Sequence, residues 1–455
     1  MENKKIKRRN TELQDLDDET LIEILIRVPA KDGHRCKCVS KHWLSLISSP
    51  FFVHCHRGRG RGRICSSTGD DNEKDLFFQL VNTYYSSVFQ TGSTTTTSLP
   101  CLKVQTIPNN NLISFDFLNH EGIRNVLSFV SNHDLVLIES TFSNLYDPFA
   151  IHLFVCNPIT KQSYKLPQPP PFFIDNKLNN CKTDFRGCIC SVDDPALYKV
   201  VLVTKAARPN HGGGGITSDG FLHIYVFSSD TNSWLKYLVP THPDLVVDKV
   251  RSKEAAGQDG TTLNGELLWC TSNMIVIYNP FKNPQQCDFI DVPQDAMIVK
   301  NKQTHYYLVL GNGSICVANI EQQLRLYNWR FLTPSTQTIK VWDMKDYTDK
   351  NNRSWEIKHF VEFNAVNWQD TINSADLKYF SIKGFNPYDG DVMYVLSVFE
   401  KRLLAVNLRT KTVHSISKFK PPIYPSYSMD SFKLFPYNPP SWPTPILKSS
   451  VARLL

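Results

Sequence analysis

The rhythm of apolar and polar positions changes once along this chain, close to residue 56. Before that point it is helical. Leu21, Ile24, Leu25 and Val28 follow the i, i+3, i+4, i+7 spacing of one helix face. Ile22 and Ile26 add a second apolar strip, so the helix is expected to be buried on two sides. Asp17 is placed to cap its first turn, and Pro29 to stop it, because a proline drives the residue before it out of helical geometry. A second short helix is predicted over Lys31–Cys38, weakened by Gly33, which costs about 1 kcal/mol against alanine in a helix interior. Ser40 caps a predicted third helix carrying Trp43, Leu44, Leu46 and Ile47, with Pro50 just beyond.

Beyond residue 110 no long helical period appears, and a loose repeat takes over: an apolar strand, a polar turn, a second strand. Ile151–Cys156 is followed by Asn157-Pro158-Ile159-Thr160-Lys161 and then Ser163–Leu166. The same order recurs at Leu222–Phe227 with its turn at Ser229–Asn232, and at Met274–Tyr278 with its turn at Asn279–Asn283. The last copy is Leu403–Val406, then Arg409-Thr410-Lys411, then Val413–Ile416. Leu76–Val81 is a candidate first strand. Hairpin dipeptides stand at Asp219-Gly220, Asn264-Gly265, Asn312-Gly313 and Asp389-Gly390, their glycines advancing by 45, 48 and 77 residues. A period near 45 with about four short strands is the spacing of a propeller blade, and it predicts roughly six or seven of them.

The chain therefore reads as residues 1–12, a disordered basic tail; 13–56, a helical domain; 57–73, a polar Gly/Arg-rich linker; 74–437, a β-propeller-like domain; and 438–455, a C-terminal tail. Three short helices in 40-odd residues bury little surface alone. Domains of that size lean on metal, disulfides or a partner. Two apolar faces and no metal motif point to a partner.

These helices carry a family resemblance. The stretch from Leu16 to Phe52 resembles the F-box, matching at Leu16, Glu19, Ile24, Leu25, Val28, Pro29, Arg35, Cys36, Val39, Ser40, Trp43, Leu46, Ile47 and the Ser49-Pro50-Phe51-Phe52 ending. It departs from the pattern at Asp17, where the family has proline, and at Asp32-Gly33-His34, where leucines are common. The second region is similar to the F-box-associated domain of plant F-box proteins. The family's C-N-P-x-T-K stands as Cys156 to Lys161, leading to Leu166-Pro167, and its V-W-x-M-x-D-Y as Val341 to Tyr347, with Ser354-Trp355 following. The resemblance implies a small all-α F-box of three short helices followed by an all-β, β-propeller-like domain.

It also implies a role. The F-box would dock on the Skp-type adaptor of a Skp–cullin–F-box ubiquitin ligase and, through it, on cullin. The propeller would hold an unknown protein substrate for ubiquitination. Leu16, Ile24, Leu25, Val28, Pro29, Cys36, Val39, Trp43, Leu46 and Ile47 are the positions where the family binds Skp or packs its helices. The chain would be a non-catalytic adaptor, without cofactor, in the nucleus and/or cytoplasm.

Composition and motifs narrow the alternatives. With 41% hydrophobic and 20% charged residues, most of the chain has enough apolar surface to fold. The net charge of +7 is concentrated at Lys4–Arg9 and Arg57–Arg63, so no basic face spreads over the large domain, which argues against nucleic acid. The Arg-Gly alternation at 57–63 is the one feature that suits phosphate contact, and it lacks interleaved aromatics. No run of 18 apolar residues marks a membrane span and no apolar stretch follows the basic start as in a signal peptide, so the 12 cysteines are expected reduced. Cys156, Cys270 and Cys316 read as small buried hydrophobes.

No G-x-S-x-G or H-E-x-x-H motif is present, and Gly212–Gly215 lacks the Lys-Ser/Thr of a phosphate loop. Asp70-Asp71 and Asp193-Asp194 read as solvated turns. Cys36-x-Cys38, His54-Cys55-His56 and Cys181 with Cys188 and Cys190 lack the paired spacing of a zinc site, so no metal is expected. Two rival readings remain: a carbohydrate- or small-molecule-binding propeller, in which Trp234, Trp329 and Trp368 would stack on ligand, and a nucleic-acid-associated protein acting through the Arg-Gly linker.

Overall fold

The computed structural model describes residues 16–28, 30–49, 51–53, 55–56, 77–81, 103–107, 112–115, 117–118, 125–132, 134–141, 151–170, 186–191, 197–204, 221–243, 261–270, 274–296, 315–320, 323–333, 336–364, 380–386, 389–397, 402–418, 434–436 and 446. The basic tail, the Gly/Arg linker, Pro29, Pro50, Gly212–Gly215, Cys181 and Trp368 lie outside the described residues. The chain divides into two compact units, 1–72 with 439–444 and 73–438 with 445–455.

The first unit is built from α1 (Asp18–Leu25), α2 (Ala30–Cys36) and α3 (Lys41–Ser48). Both caps expected from the sequence form: the Asp17 carboxylate accepts from the Thr20 amide at 2.7 Å, and the Ser40 hydroxyl from the Trp43 amide at 3.1 Å. The first helix stops at Leu25, short of the predicted Val28. The Arg27 and Val28 amides turn back to Ile24 and Leu25, each at 3.1 Å, in the tighter i to i−3 pattern that closes helix ends. Leu21, Leu25, Ile26, Ile47 and Phe52 form the core.

The second unit holds six four-stranded antiparallel sheets among the described residues. In chain order, β1 (Phe77–Val81), β2 (Lys103–Ile107) and β3 (Leu112–Ser114) belong to blade 1. Blade 2 is β4 (Asn125–Asn132), β5 (Leu135–Thr141), β6 (Ile151–Asn157) and β7 (Gln162–Lys165). Blade 3 is β8 (Arg186–Ser191), β9 (Tyr198–Thr204), β10 (Phe221–Ser228) and β11 (Ser233–Pro240). Blade 4 is β12 (Thr261–Leu263), β13 (Glu266–Cys270), β14 (Met274–Tyr278) and β15 (Cys287–Asp291). Blade 5 has the longest strands: β16 (Ile315–Ile320), β17 (Gln323–Thr333), β18 (Thr336–Lys345) and β19 (Ser354–Asn364). Blade 6 is β20 (Phe380–Phe385), β21 (Val392–Ser397), β22 (Arg402–Asn407) and β23 (Thr412–Lys418).

The final strand, β24 (Leu434–Pro436), returns to blade 1 and lies beside β1, Phe77 opposite Pro436 and Gln79 opposite Leu434. Blade 1 is thus made from both ends of the unit, in the order β24-β1-β2-β3. Neighbouring sheets meet through their first strands: β24 with β4, β4 with β8, β12 with β16, and β16 with β20. Those strands line the inside of the ring, and this is a β-propeller.

Antiparallel order sorts the connections between two faces. First-to-second and third-to-fourth connections share one face; second-to-third and blade-to-blade connections share the other. The connections on the first face are short, at most eight residues, such as 158–161, 229–232, 264–265 and 408–411. The long stretches 82–102, 166–185, 205–220, 241–260, 292–314, 365–379 and 419–433 all join strand ends at the opposite face. The chain enters β1 and leaves β24 on the short-turn face, as the pairing of Phe77 with Pro436 requires.

Three of the short turns share one device. The side-chain oxygen of Asn157 accepts from the Ile159 and Thr160 amides, Asn279 from Phe281 and Lys282, and Asn407 from Arg409 and Thr410, at 2.9–3.2 Å. An asparagine that closes on the backbone two and three residues ahead reverses the chain without glycine. Lys161 and Lys411 then take left-handed backbone, φ 55 and 58. The hairpin glycines predicted to mark equivalent points do not: Gly265 and Gly390 lie in first-to-second turns, while Gly220 precedes a third strand and Gly313 a first. The third strands end at Asn157, Ser228, Tyr278, Lys345 and Asn407, so the true step varies from 50 to 71 residues. Long connections on one face stretch the period.

Blades 2, 3 and 4 share one apolar cluster and blades 4 and 5 another. The tail expected beyond residue 437 contributes to the first. Ile446 is buried there, its amide 3.2 Å from the Gln162 side-chain oxygen. Between blades 5 and 6 a buried arginine makes a tie: Arg325, clamped by Asp343 of its own blade at 2.6 and 2.9 Å, donates across to the Gly390 carbonyl. A Cβ on Gly390 would lie 2.5 Å from Arg325 Nη1. Gly390→Ala is therefore expected to destabilise the propeller by about 1–3 kcal/mol, the cost of overpacking a closed interior, read from urea unfolding.

Candidate functional site

The ten positions predicted to bind Skp or pack the helices separate into two groups. Leu25 and Ile47 are fully buried, and Cys36, Trp43 and Leu46 are half-buried against the same core. Leu16 and Val28 are half-buried, and Pro29 lies outside the described residues. Ile24 and Val39 are different, with 41% and 63% of their surface exposed. Ile24 was placed by its spacing on the packed face with Leu21 and Leu25, yet it faces solvent because the helix buries the Leu21–Leu25 and Ile22–Ile26 edges instead. Leu44 and Phe51, at 47% and 63%, join the exposed set. Spacing alone could not flag them, since both fit a helical apolar pattern.

These four large apolar side chains stand in water on a small unit. Each is held by local structure. The Val39 amide bonds the Cys36 carbonyl at the end of α2. Phe51 follows Ser49, whose hydroxyl donates to the Leu46 carbonyl at 2.7 Å and accepts from the Phe52 amide at 3.2 Å. His56 Nε2 lies 3.1 Å from the Val28 carbonyl and draws the end of the unit onto α1. Nearby, burial holds the Lys37 ammonium below its usual range, and burial followed by Lys37 does the same to His34. Thr20 holds the Asp17 carboxyl low, so the cap is charged at neutral pH.

In the propeller, Trp234 is the one of the three proposed ligand-stacking tryptophans whose side chain lies among the described residues, and it serves another purpose. Trp234 packs on Phe227, ring centres 5.4 Å apart, and donates to the Pro167 carbonyl of blade 2 at 2.8 Å. Trp355 holds the same place in blade 5 and donates to the Asp291 carbonyl of blade 4 at 2.8 Å. The Ser-Trp pair that opens the outer strand is an inter-blade tie. Tyr164 to Asn232 and Tyr347 to Glu266, both 2.6 Å, tie the same pairs of blades.

Burial pushes the Cys190 thiol well up and that of Cys287 up to about 12, the reverse of what a nucleophilic thiolate needs. Among the described residues no three His, Cys, Asp or Glu are grouped to hold a metal, and no helix is long and apolar enough to cross a membrane.

Two family descriptions match the two units. "F-box domain" covers residues 13–54, and "F-box protein At3g26010-like, beta-propeller" covers residues 102–422. The chain belongs to this family of F-box β-propeller proteins. Three Arabidopsis thaliana relatives illustrate how similarity is distributed. F-box protein At5g07610 is 23% identical over 90% of this chain and 87% of its own length. F-box protein At5g49610 is 22% identical over 77% and 79%. Putative F-box protein At3g52320 reaches 51%, but over 12% of this chain and 14% of its own. Family membership carries a general role in substrate recognition for Skp–cullin–F-box ligases, and such proteins are typically non-catalytic adaptors.

Trp234→Phe keeps the ring but strands the Pro167 carbonyl. It should cost about 1 kcal/mol of propeller stability in urea unfolding, with the first unit's unfolding unchanged.

Proposed function

We propose that the exposed apolar set of the F-box docks on a Skp-type subunit, and that the propeller holds a protein target for ubiquitin transfer by the cullin-bound machinery. The observation that carries this reading is the exposure of Val39, Ile24, Leu44 and Phe51 on a unit whose own core is already complete. Surface of that kind is stabilised by covering it, and a flat apolar contact suits a helical partner. The chain itself breaks no bond. Tethering raises the effective concentration of target at the ligase. The target surface we favour is the face where the long connections join, since binding surfaces are usually carried on loops over a rigid scaffold. Nothing in this role needs a membrane, and the nucleus or cytoplasm would suit it.

The test separates surface from core. Val39→Asp should weaken binding to purified Skp-type protein by at least about thirtyfold, the ~2 kcal/mol of an interface hot spot, with the helical circular dichroism unchanged. Ile47→Ala should instead cost about 2–5 kcal/mol of fold stability and lose binding only through unfolding. If the wild-type chain shows no binding to any Skp-type protein, the ligase reading falls. A chain lacking residues 1–56 should remain soluble and keep its target while losing Skp, measured by co-purification of each.

A further inference from the structure

The shared apolar clusters join blades 2 to 5, whereas charged groups line the junction of blades 5 and 6. On the blade 5 side stand Arg325 from β17, Asp343 from β18, and His359 with its neighbour Lys358 from β19. On the blade 6 side, Gly390 and Asp391 come from the turn before β21, and Arg409 from the turn after β22. Asp389 lies on the same turn and accepts the Asp391 amide at 3.0 Å. Arg325 pairs with Asp343, reaches across to the Gly390 carbonyl, and lies 5.7 Å over the Phe385 ring. His359 Nε2 is 2.9 Å from Asp391 Oδ1, and Arg409 Nε is 2.6 Å from Asp391 Oδ2. The His359 and Asp391 side chains are only 10% and 13% exposed.

We propose that this junction is a pH-sensitive clasp, which loosens when His359 takes up a proton. A carboxylate only accepts, so the hydrogen between the pair sits on Nε2 and a neutral ring already makes the bond. With His359 neutral, two guanidiniums face two carboxylates and the clasp is balanced. A second ring proton adds a charge beside a carboxylate that is already shared, because Arg409 pairs with Asp391, and Asp343 is taken by Arg325. Placing an uncompensated charge in a covered junction is costly.

Burial chiefly, with help from Arg325 and Lys358, holds His359 below its ordinary 6.5, against an opposing pull from Asp391. The unfolded chain therefore binds the proton first. Stability is fully present above about pH 6.5 and falls as pH drops towards the folded-state value.

Hydrogen exchange on the full chain at about pH 7.5 and about pH 5.5, corrected for intrinsic rates, reads this directly. Strands β17, β18, β19 and β21 should lose protection at low pH, by up to about tenfold per pH unit for one linked proton. Strands β9, β10 and β14 should not. His359→Gln keeps a donor for Asp391 without the titration and should remove the acid loss. Arg409→Gln changes an exposed side chain, frees Asp391 to balance the protonated ring, and should shrink the loss. Uniform loss across all blades, or the same loss in both variants, would overturn the clasp.

Discussion

The ring depends on one strand pairing, that of β1 with β24. A propeller blade is a small antiparallel sheet, and a row of such sheets holds its shape only when the last packs against the first. Here the first blade has no inner strand until residues 434–436 supply it. Closure through backbone hydrogen bonds between the two ends of the unit locks the circle at its entry point, and it removes an inner edge that would otherwise be open to any passing strand. Ile446 extends the closure by packing into the cluster shared by blades 2 to 4.

The two units bury apolar surface by different means. In the propeller, apolar clusters bridge blades 2 to 5, tryptophan and tyrosine ties cross between blades and a polar junction meets blade 6, while Leu235, Leu238, Ile357 and Phe360 on its outer strands stay exposed. The helical unit packs Leu21, Leu25, Ile26, Ile47 and Phe52 into a core and still leaves Ile24, Val39, Leu44 and Phe51 in solvent. A domain that short has more apolar side chains than interior.

Much of this was legible in the sequence. The caps at Asp17 and Ser40 and the strand–turn–strand copies around Asn157, Asn279 and Asn407 are local signals, and local signals survive folding because they depend on few neighbours. The F-box identity followed from order and spacing. Which F-box residues face inward was not legible: Ile24 and Leu25 are adjacent apolar residues, and only the packing of α3 decides between them. The hairpin glycines misled for a related reason. Asn-Gly and Asp-Gly report a turn but not its rank within a blade, and Gly390 owes its place to the reach of Arg325. Nor could any window of sequence show that the last strand belongs to the first blade.

That last pairing has a consequence for the order of events during synthesis. The helical unit emerges first and can complete its core as soon as Phe52 has been made. The propeller cannot close until residue 436 follows, so for most of translation β1 carries an unpaired inner edge. The nascent chain thus has its helical unit long before its closed propeller. The interval exposes a β edge to neighbouring nascent chains, and it is ended by three residues, Leu434 to Pro436.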